Sequence, residues 1–134
     1  MIEKYIKIIT KLPSPELFPN RKNGTHWSKT DKIKKQDKEF ANLSTKKTIG
    51  CGSIFNVNDR LNAIIFFIYG DNRRRDNDNI LAAFKTQLDG IFLALNIDDS
   101  QIDILTINRQ IKDKANPRCE IEIRNIKMDE VGNE

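Results

Sequence analysis

The sequence predicts an α/β (α+β) single domain of order β-α-β-α-β-β, with a mixed sheet and two main helices. Three observations carry this expectation. Residues 63–69 form a continuous apolar run, long enough for a central strand buried on both faces. Between 79 and 95 the apolar residues recur as Ile80, Phe84, Leu88, Ile91 and Leu95, which is helical spacing. Short stretches rich in β-branched residues stand near both ends of the chain.

Taken in order, residues 5–12 are β-rich and end at Pro13, a first strand. Residues 13–27 hold three prolines and Gly24 and read as a long loop, a length often associated with function. Ser28 reads as the N-cap of the first helix, with Asp31 at N3 in a variant of the capping box. Ile33, Phe40 and Leu43 fall on one narrow stripe of that helix, and Lys34, Lys35 and Lys38 on the other side. Residues 46–58 are a connector, Gly70-Asp71-Asn72 ends the central strand, and Asn79 is a possible cap for the second helix. Residues 102–111 and 119–126 read as two further strands joined as a hairpin across 112–117. The domain is expected over 1–127, with 128–134 as a frayed tail.

Composition narrows the function classes. No window of the 134 residues approaches the roughly 18 apolar residues of a membrane span. The first residues lack the apolar core of an export signal, so a cytoplasmic protein without a membrane partner is expected. Cys51 and Cys119 are far apart and read as reduced, partly buried thiols. The net charge of +4 is unevenly spread: residues 1–50 carry 12 Lys/Arg against 5 Asp/Glu, and residues 51–134 carry 11 against 14. A basic half favours a polyanionic partner, and an acidic half would repel DNA unless a cation bridged them.

The chemistry is concentrated at Arg73-Arg74-Arg75-Asp76-Asn77-Asp78-Asn79, where the buried strand hands over to the second helix. Hard divalent cations such as Mg²⁺ prefer carboxylate oxygens and retain several waters, so one or two Asp per ion suffice. A cation there could bind a scissile phosphate, with Arg74 or Arg75 orienting it. The alternative for these aspartates is helix capping and dipole compensation, and for the arginines a surface ion pair. A second acidic element, Asp98-Asp99-Ser100-Gln101, follows the helix and could equally mark a turn.

As an ordered set, Arg-Arg-Arg-Asp-x-Asp-Asn, a helix, and Asp-Asp-Ser-Gln-Ile at 98–102 resemble the signature of the RusA-like crossover-junction endodeoxyribonucleases, frequent in phages and prophages. Pro19-Asn20-Arg21 with His26-Trp27 and the Lys-rich helix is similar to the opening of the phage-type members. The resemblance is strongest over 73–102 and covers 12–126 loosely. It implies a homodimer that binds four-way DNA junctions and nicks paired strands with Mg²⁺, or Mn²⁺ in its place. It implies Asp76, Asp78 and Asp99 as catalytic acidic residues, and the same three with Asp98 as the metal set. Many members carry a Lys four residues after the second Asp, where this chain has Ala82. Lys85, three residues on and on the same helix face, is the replacement candidate for phosphate or leaving-group contact, or else an exposed partner of Asp89.

Arg73, Arg74, Arg75, Lys34, Lys35, Lys38 and Arg21 are the expected DNA contacts, and Trp27 either stacks on a base or anchors in the core. His26 is the single histidine, so no two-His metal site exists within one chain, and packing or DNA contact is its expected role. A straight helix over 79–95 would be about 25 Å long, so Asp78 and Asp99 could share a cation only through a bend, with Gly90 as a candidate break, or across two subunits. The rival readings are a non-catalytic basic DNA-binding module, and a different Asp-x-Asp enzyme acting on nucleotides, for which no Gly-rich phosphate loop is present.

Overall fold

The computed structural model describes residues 3–19, 27–50 and 54–127. Four strands, β1 (Tyr5–Thr10), β2 (Leu61–Ile68), β3 (Ile102–Asn108) and β4 (Arg118–Asn125), form one mixed sheet in the order β1-β4-β2-β3. Two helices, α1 (Trp27–Ile49) and α2 (Asn77–Leu95), complete an α+β domain of the expected element order. Short 3-10 turns occupy Pro15–Leu17 and Asp99–Gln101.

The strands follow period-2 alternation. In β2, Leu61, Ala63, Ile65 and Phe67 are fully buried, beside Ile121 and Ile123 of β4 and Ile6 and Ile8 of β1. Ile80, Phe84, Ile91 and Leu95 of α2 close over this face, with the Phe67 and Phe84 rings edge to face at 5.3 Å. The opposite face of β2 is only half-buried, contrary to the two-sided burial expected of its apolar run. There Ile64 and Phe66 stand opposite Glu122 and Glu120, and Glu120 pairs with Lys7 at 3.0 Å.

The expected hairpin between the last two strands is not formed. β3 pairs parallel with β2, and β4 inserts antiparallel between β1 and β2. Burial explains the choice. Cys119, Ile121 and Ile123 require a place covered on one full face, whereas β3 carries Asp103, Thr106 and Asn108 and takes the exposed edge. The connection crosses the end of β2, where the Asp113 amide donates to the Tyr69 carbonyl at 3.0 Å. Gly70 lies so close that an added Cβ would sit 3.0 Å from the Lys114 Cα.

Two further expectations are corrected in the helices. Ser28 lies within α1, whose described residues run from Trp27 to Ile49, well into the expected connector. The buried face of α1 is Thr30, Asp37, Ala41 and Thr45; Phe40 and Leu43 of the predicted stripe are 45% and 50% exposed. The cause lies in α2, whose Gly90 meets α1 backbone: an added Cβ would fall 2.2 Å from the Lys38 carbonyl oxygen. Only small side chains fit such a seam, so the bulky residues of α1 turn outward. Gly90 is therefore the crossing point, not a break. The helix runs through it to a left-handed C-cap at Asn96 (φ 56°), whose following residue, Ile97, donates back to the Phe92 carbonyl at 3.0 Å.

Candidate functional site

Because β2 and β3 are parallel and joined by α2, the C-terminal ends of both strands meet the N-terminus of that helix. Ligands commonly bind at such carboxyl ends in sheets of this kind. Asp71, in the turn after β2, accepts the Arg73 amide at 3.0 Å and both guanidinium nitrogens of Arg75, at 2.7 and 3.1 Å. The Arg75 hydrogen bonds pull the Asp71 carboxyl down to about 2. Arg75 also stacks over the Tyr69 ring at 3.6 Å, and burial pushes the Tyr69 hydroxyl up to about 12. Arg75 is thus engaged with the turn through both Asp71 and Tyr69. The exposed guanidiniums of Arg73 and Arg74 make no hydrogen bond or ion pair among the described residues.

Asp76, rather than Asn79, holds the N-cap position of α2 with extended backbone (φ −86°, ψ 138°), yet its carboxylate makes no capping hydrogen bond. Asp78 follows in the first turn. Both are exposed, and neither side chain has a partner among the described residues. Two cavities flank them. One, about 510 Å³, lies between Pro13, Pro15 and Phe18 on one side and Arg73, Arg74 and Asp76 on the other. The second, about 610 Å³, is lined by residues 74–79 together with Arg109. Arg109 follows β3 and donates to Asn77 Oδ1 at 2.7 Å.

Asp98 and Asp99 stand at the other end of the molecule, just before β3. Asp98 caps its 3-10 turn: it accepts the Ser100 amide at 3.0 Å and the Ser100 hydroxyl, while its own amide donates to Gln101 Oε1 at 2.9 Å. The Ser100 hydrogen bonds hold its carboxyl below the usual carboxylate range. Asp99 instead faces a groove of about 440 Å³ that runs along α2 and is lined by Asp78, Lys85, Asp89, Phe92 and Leu105. An unbroken helix of 19 residues, about 28 Å long, separates the two acidic ends. Accordingly, no group of three His, Cys, Asp or Glu side chains converges among the described residues. Lys85 is exposed and forms no ion pair with Asp89.

Of the other expected contacts, Lys35 pairs with Asp31 at 3.3 Å, Lys38 is exposed and Lys34 half-buried. Trp27, in α1, is 74% exposed, contrary to the core-anchor alternative. Cys119 is free and buried, and burial raises its thiol. Arg21, His26, Cys51 and the expected tail at 128–134 lie outside the described residues. Sequence reasoning passed over Arg109, Phe18 and Tyr69. Only the parallel pairing of β2 with β3 brings Arg109 to Asn77, and no local pattern announces that pairing.

No protein-family model matches the chain. A protein of Xylella fastidiosa (strain Temecula1), described as an uncharacterized protein, is 37% identical over 87 residues, which cover 65% of this chain and 56% of that protein. The chain thus matches little more than half the length of that relative. Among the described residues no helix is long and apolar enough to cross a membrane.

Proposed function

We propose that this chain is a Mg²⁺-dependent, structure-selective endodeoxyribonuclease that resolves Holliday junctions by paired nicks in DNA recombination and repair, acting as a cytoplasmic homodimer. The observation that carries this reading is the state of Asp76 and Asp78. An aspartate serving only as a cap would accept the helix amides, and Asp76 does not. Two carboxylates without partners among the described residues, at the positive end of a 19-residue helix and beside Arg74 and Arg109, suit a hard cation together with a phosphate. Asp76 and Asp78 would hold Mg²⁺ or Mn²⁺, which supplies charge stabilisation and an acidified water for phosphodiester hydrolysis. Arg73, Arg74 and the first amides of α2 orient the scissile phosphate. Lys85 stands two turns further along the groove, where it contacts phosphate or the leaving oxygen.

The unbroken α2 keeps Asp78 and Asp99 at its opposite ends, which favours a site shared between two subunits. Both residues line one groove, at opposite ends of α2. A second copy laid antiparallel across that groove on a two-fold axis would set Asp78 of each protomer near Asp99 of the other, completing two equivalent sites. Leu81, Ile102 and Leu105 offer apolar surface for the contact. Asp98, held by Ser100, supports Asp99 rather than the cation.

The test is cleavage of a synthetic four-way junction in Mg²⁺. Asp76→Asn should retain or tighten junction binding while abolishing nicking; nicking at the parental rate would refute the mechanism. The non-catalytic DNA-binding module is favoured by one observation, the lack of three converging ligand side chains among the described residues of a single chain. It predicts salt-sensitive binding without cleavage in any buffer.

A further inference from the structure

We infer that the cavity between the 13–18 segment and the N-terminus of α2 receives one unpaired nucleotide of a branched DNA, its base against Phe18 and Pro15 and its phosphate on Arg73 and Arg74. The inference rests on DNA being the partner, as proposed above, and adds what the cavity recognises.

The cavity's two walls differ in chemistry. One is apolar, formed by Pro13, Pro15 and Phe18; the other carries Arg73 and Arg74, whose guanidiniums make no hydrogen bond or ion pair among the described residues. Its volume of about 510 Å³ lies in the range of pockets for small organic molecules, suited to one nucleotide and not to a stacked duplex. An aromatic face beside cations is the arrangement that binds unpaired bases without reading their sequence.

Both walls are held in place before any ligand arrives. Asp37 of α1, 1% exposed, pairs with Lys11 at 2.6 Å and accepts the Ser14 hydroxyl at 2.9 Å, while Gln87 donates to the Lys11 carbonyl at 3.0 Å. These contacts pin the apolar segment at its base, which gives a buried carboxylate in a helix seam a positioning role. On the opposite side, Asp71 and Tyr69 clamp Arg75. Tyr69 also lines the cavity; it is nine-tenths buried, and its hydroxyl has no hydrogen-bond partner among the described residues. A base edge reaching that hydroxyl would supply one.

The experiment measures binding of four-way junctions without added metal, comparing an intact junction with junctions abasic at each nucleotide around the crossover. One abasic position should weaken binding by the parent protein about tenfold. Phe18→Ala should bind the intact and that abasic junction alike, and Phe18→Tyr should restore the difference. Because Phe18 also touches the core, 5-iodo-deoxyuridine at that position provides a readout on the unmodified protein, with photo-crosslinks expected at Phe18 or Tyr69. Equal affinity for every abasic junction, or crosslinks confined to other residues, overturns the inference. Saturable binding of deoxyadenosine monophosphate as tight as that of the junction assigns the cavity to a free nucleotide and also overturns it. Cleavage of the intact junction in Mg²⁺, measured in parallel, reports on the nuclease reading independently.

Discussion

Replacing Gly90 with alanine tests the helix seam that aims α2. Alanine is the better helix former by about 1 kcal/mol, so propensity alone predicts stabilisation. The seam predicts the reverse. The new methyl would fall 2.2 Å from the Lys38 carbonyl oxygen, 3.1 Å from its carbon and 3.2 Å from the Asn42 nitrogen, where ordinary contact begins near 3.4 Å. All three are backbone atoms, so no side chain can rotate away, and α1 must retreat by about 1 Å along its crossing with α2. That retreat also stretches the hydrogen bond from Asn42 Nδ2 to the Gly90 carbonyl, now 3.1 Å. Overpacking at a rigid contact costs about 1–3 kcal/mol, and the lost hydrogen bond about 1 kcal/mol more. Against the propensity gain, a net destabilisation of about 2 kcal/mol is expected, a fall in thermal midpoint of roughly 6–10 °C for a domain of this size. Thermal unfolding followed by circular dichroism at neutral pH measures it. An unchanged or higher midpoint would refute the close crossing, and with it the placement of α2.

Two further predictions address the site's surroundings. The Asp71 carboxyl is held near 2 by Arg75, below its ordinary value of 3.8, so the clamp stabilises the fold above about pH 4 and that contribution is lost as pH falls toward 2. Asp71→Asn should therefore flatten the pH dependence of the thermal midpoint between pH 4 and 2; an unchanged slope would show that the clamp is not formed. Asp98→Ala should lower the thermal midpoint by removing the 3-10 cap while leaving nicking within roughly twofold, whereas Asp99→Asn should lower nicking by about a hundredfold or more with little change in midpoint. The opposite pattern, measured on the same junction, would return the ligand role to Asp98.

How much of this was legible in the sequence depended on whether the cause was local. The apolar run at 63–69 and the spacing from Ile80 to Leu95 announce β2 and α2, because periodicity is a property of the segment itself. The order of the strands is not local. The alternation of Cys119, Ile121 and Ile123 does carry a signal for a central strand, but the proximity of 102–111 to 119–126 suggested a hairpin instead. The buried face of α1 was hidden for a similar reason. Thr30, Asp37, Ala41 and Thr45 look like a solvated face until Gly90 and Lys11, from other elements, are brought against them. At the site, Asp76 and Asp78 could be picked out because they adjoin three arginines. The division of labour among those arginines could not, since it turns on Tyr69 and Asp71 folding back beneath Arg75.

The central claim is that Asp76 and Asp78 of one protomer act with Asp99 of a second copy. The direct measurement is complementation on a supercoiled plasmid bearing an extruded cruciform. Asp76→Asn and Asp99→Asn proteins, each inactive alone, are mixed under conditions that exchange subunits. In a mixed dimer one site carries both substitutions and the other carries neither, so the account predicts nicked circles from the mixture and from neither variant alone. A mixture as inactive as its components, with exchange verified by a tag on one variant, would contradict it.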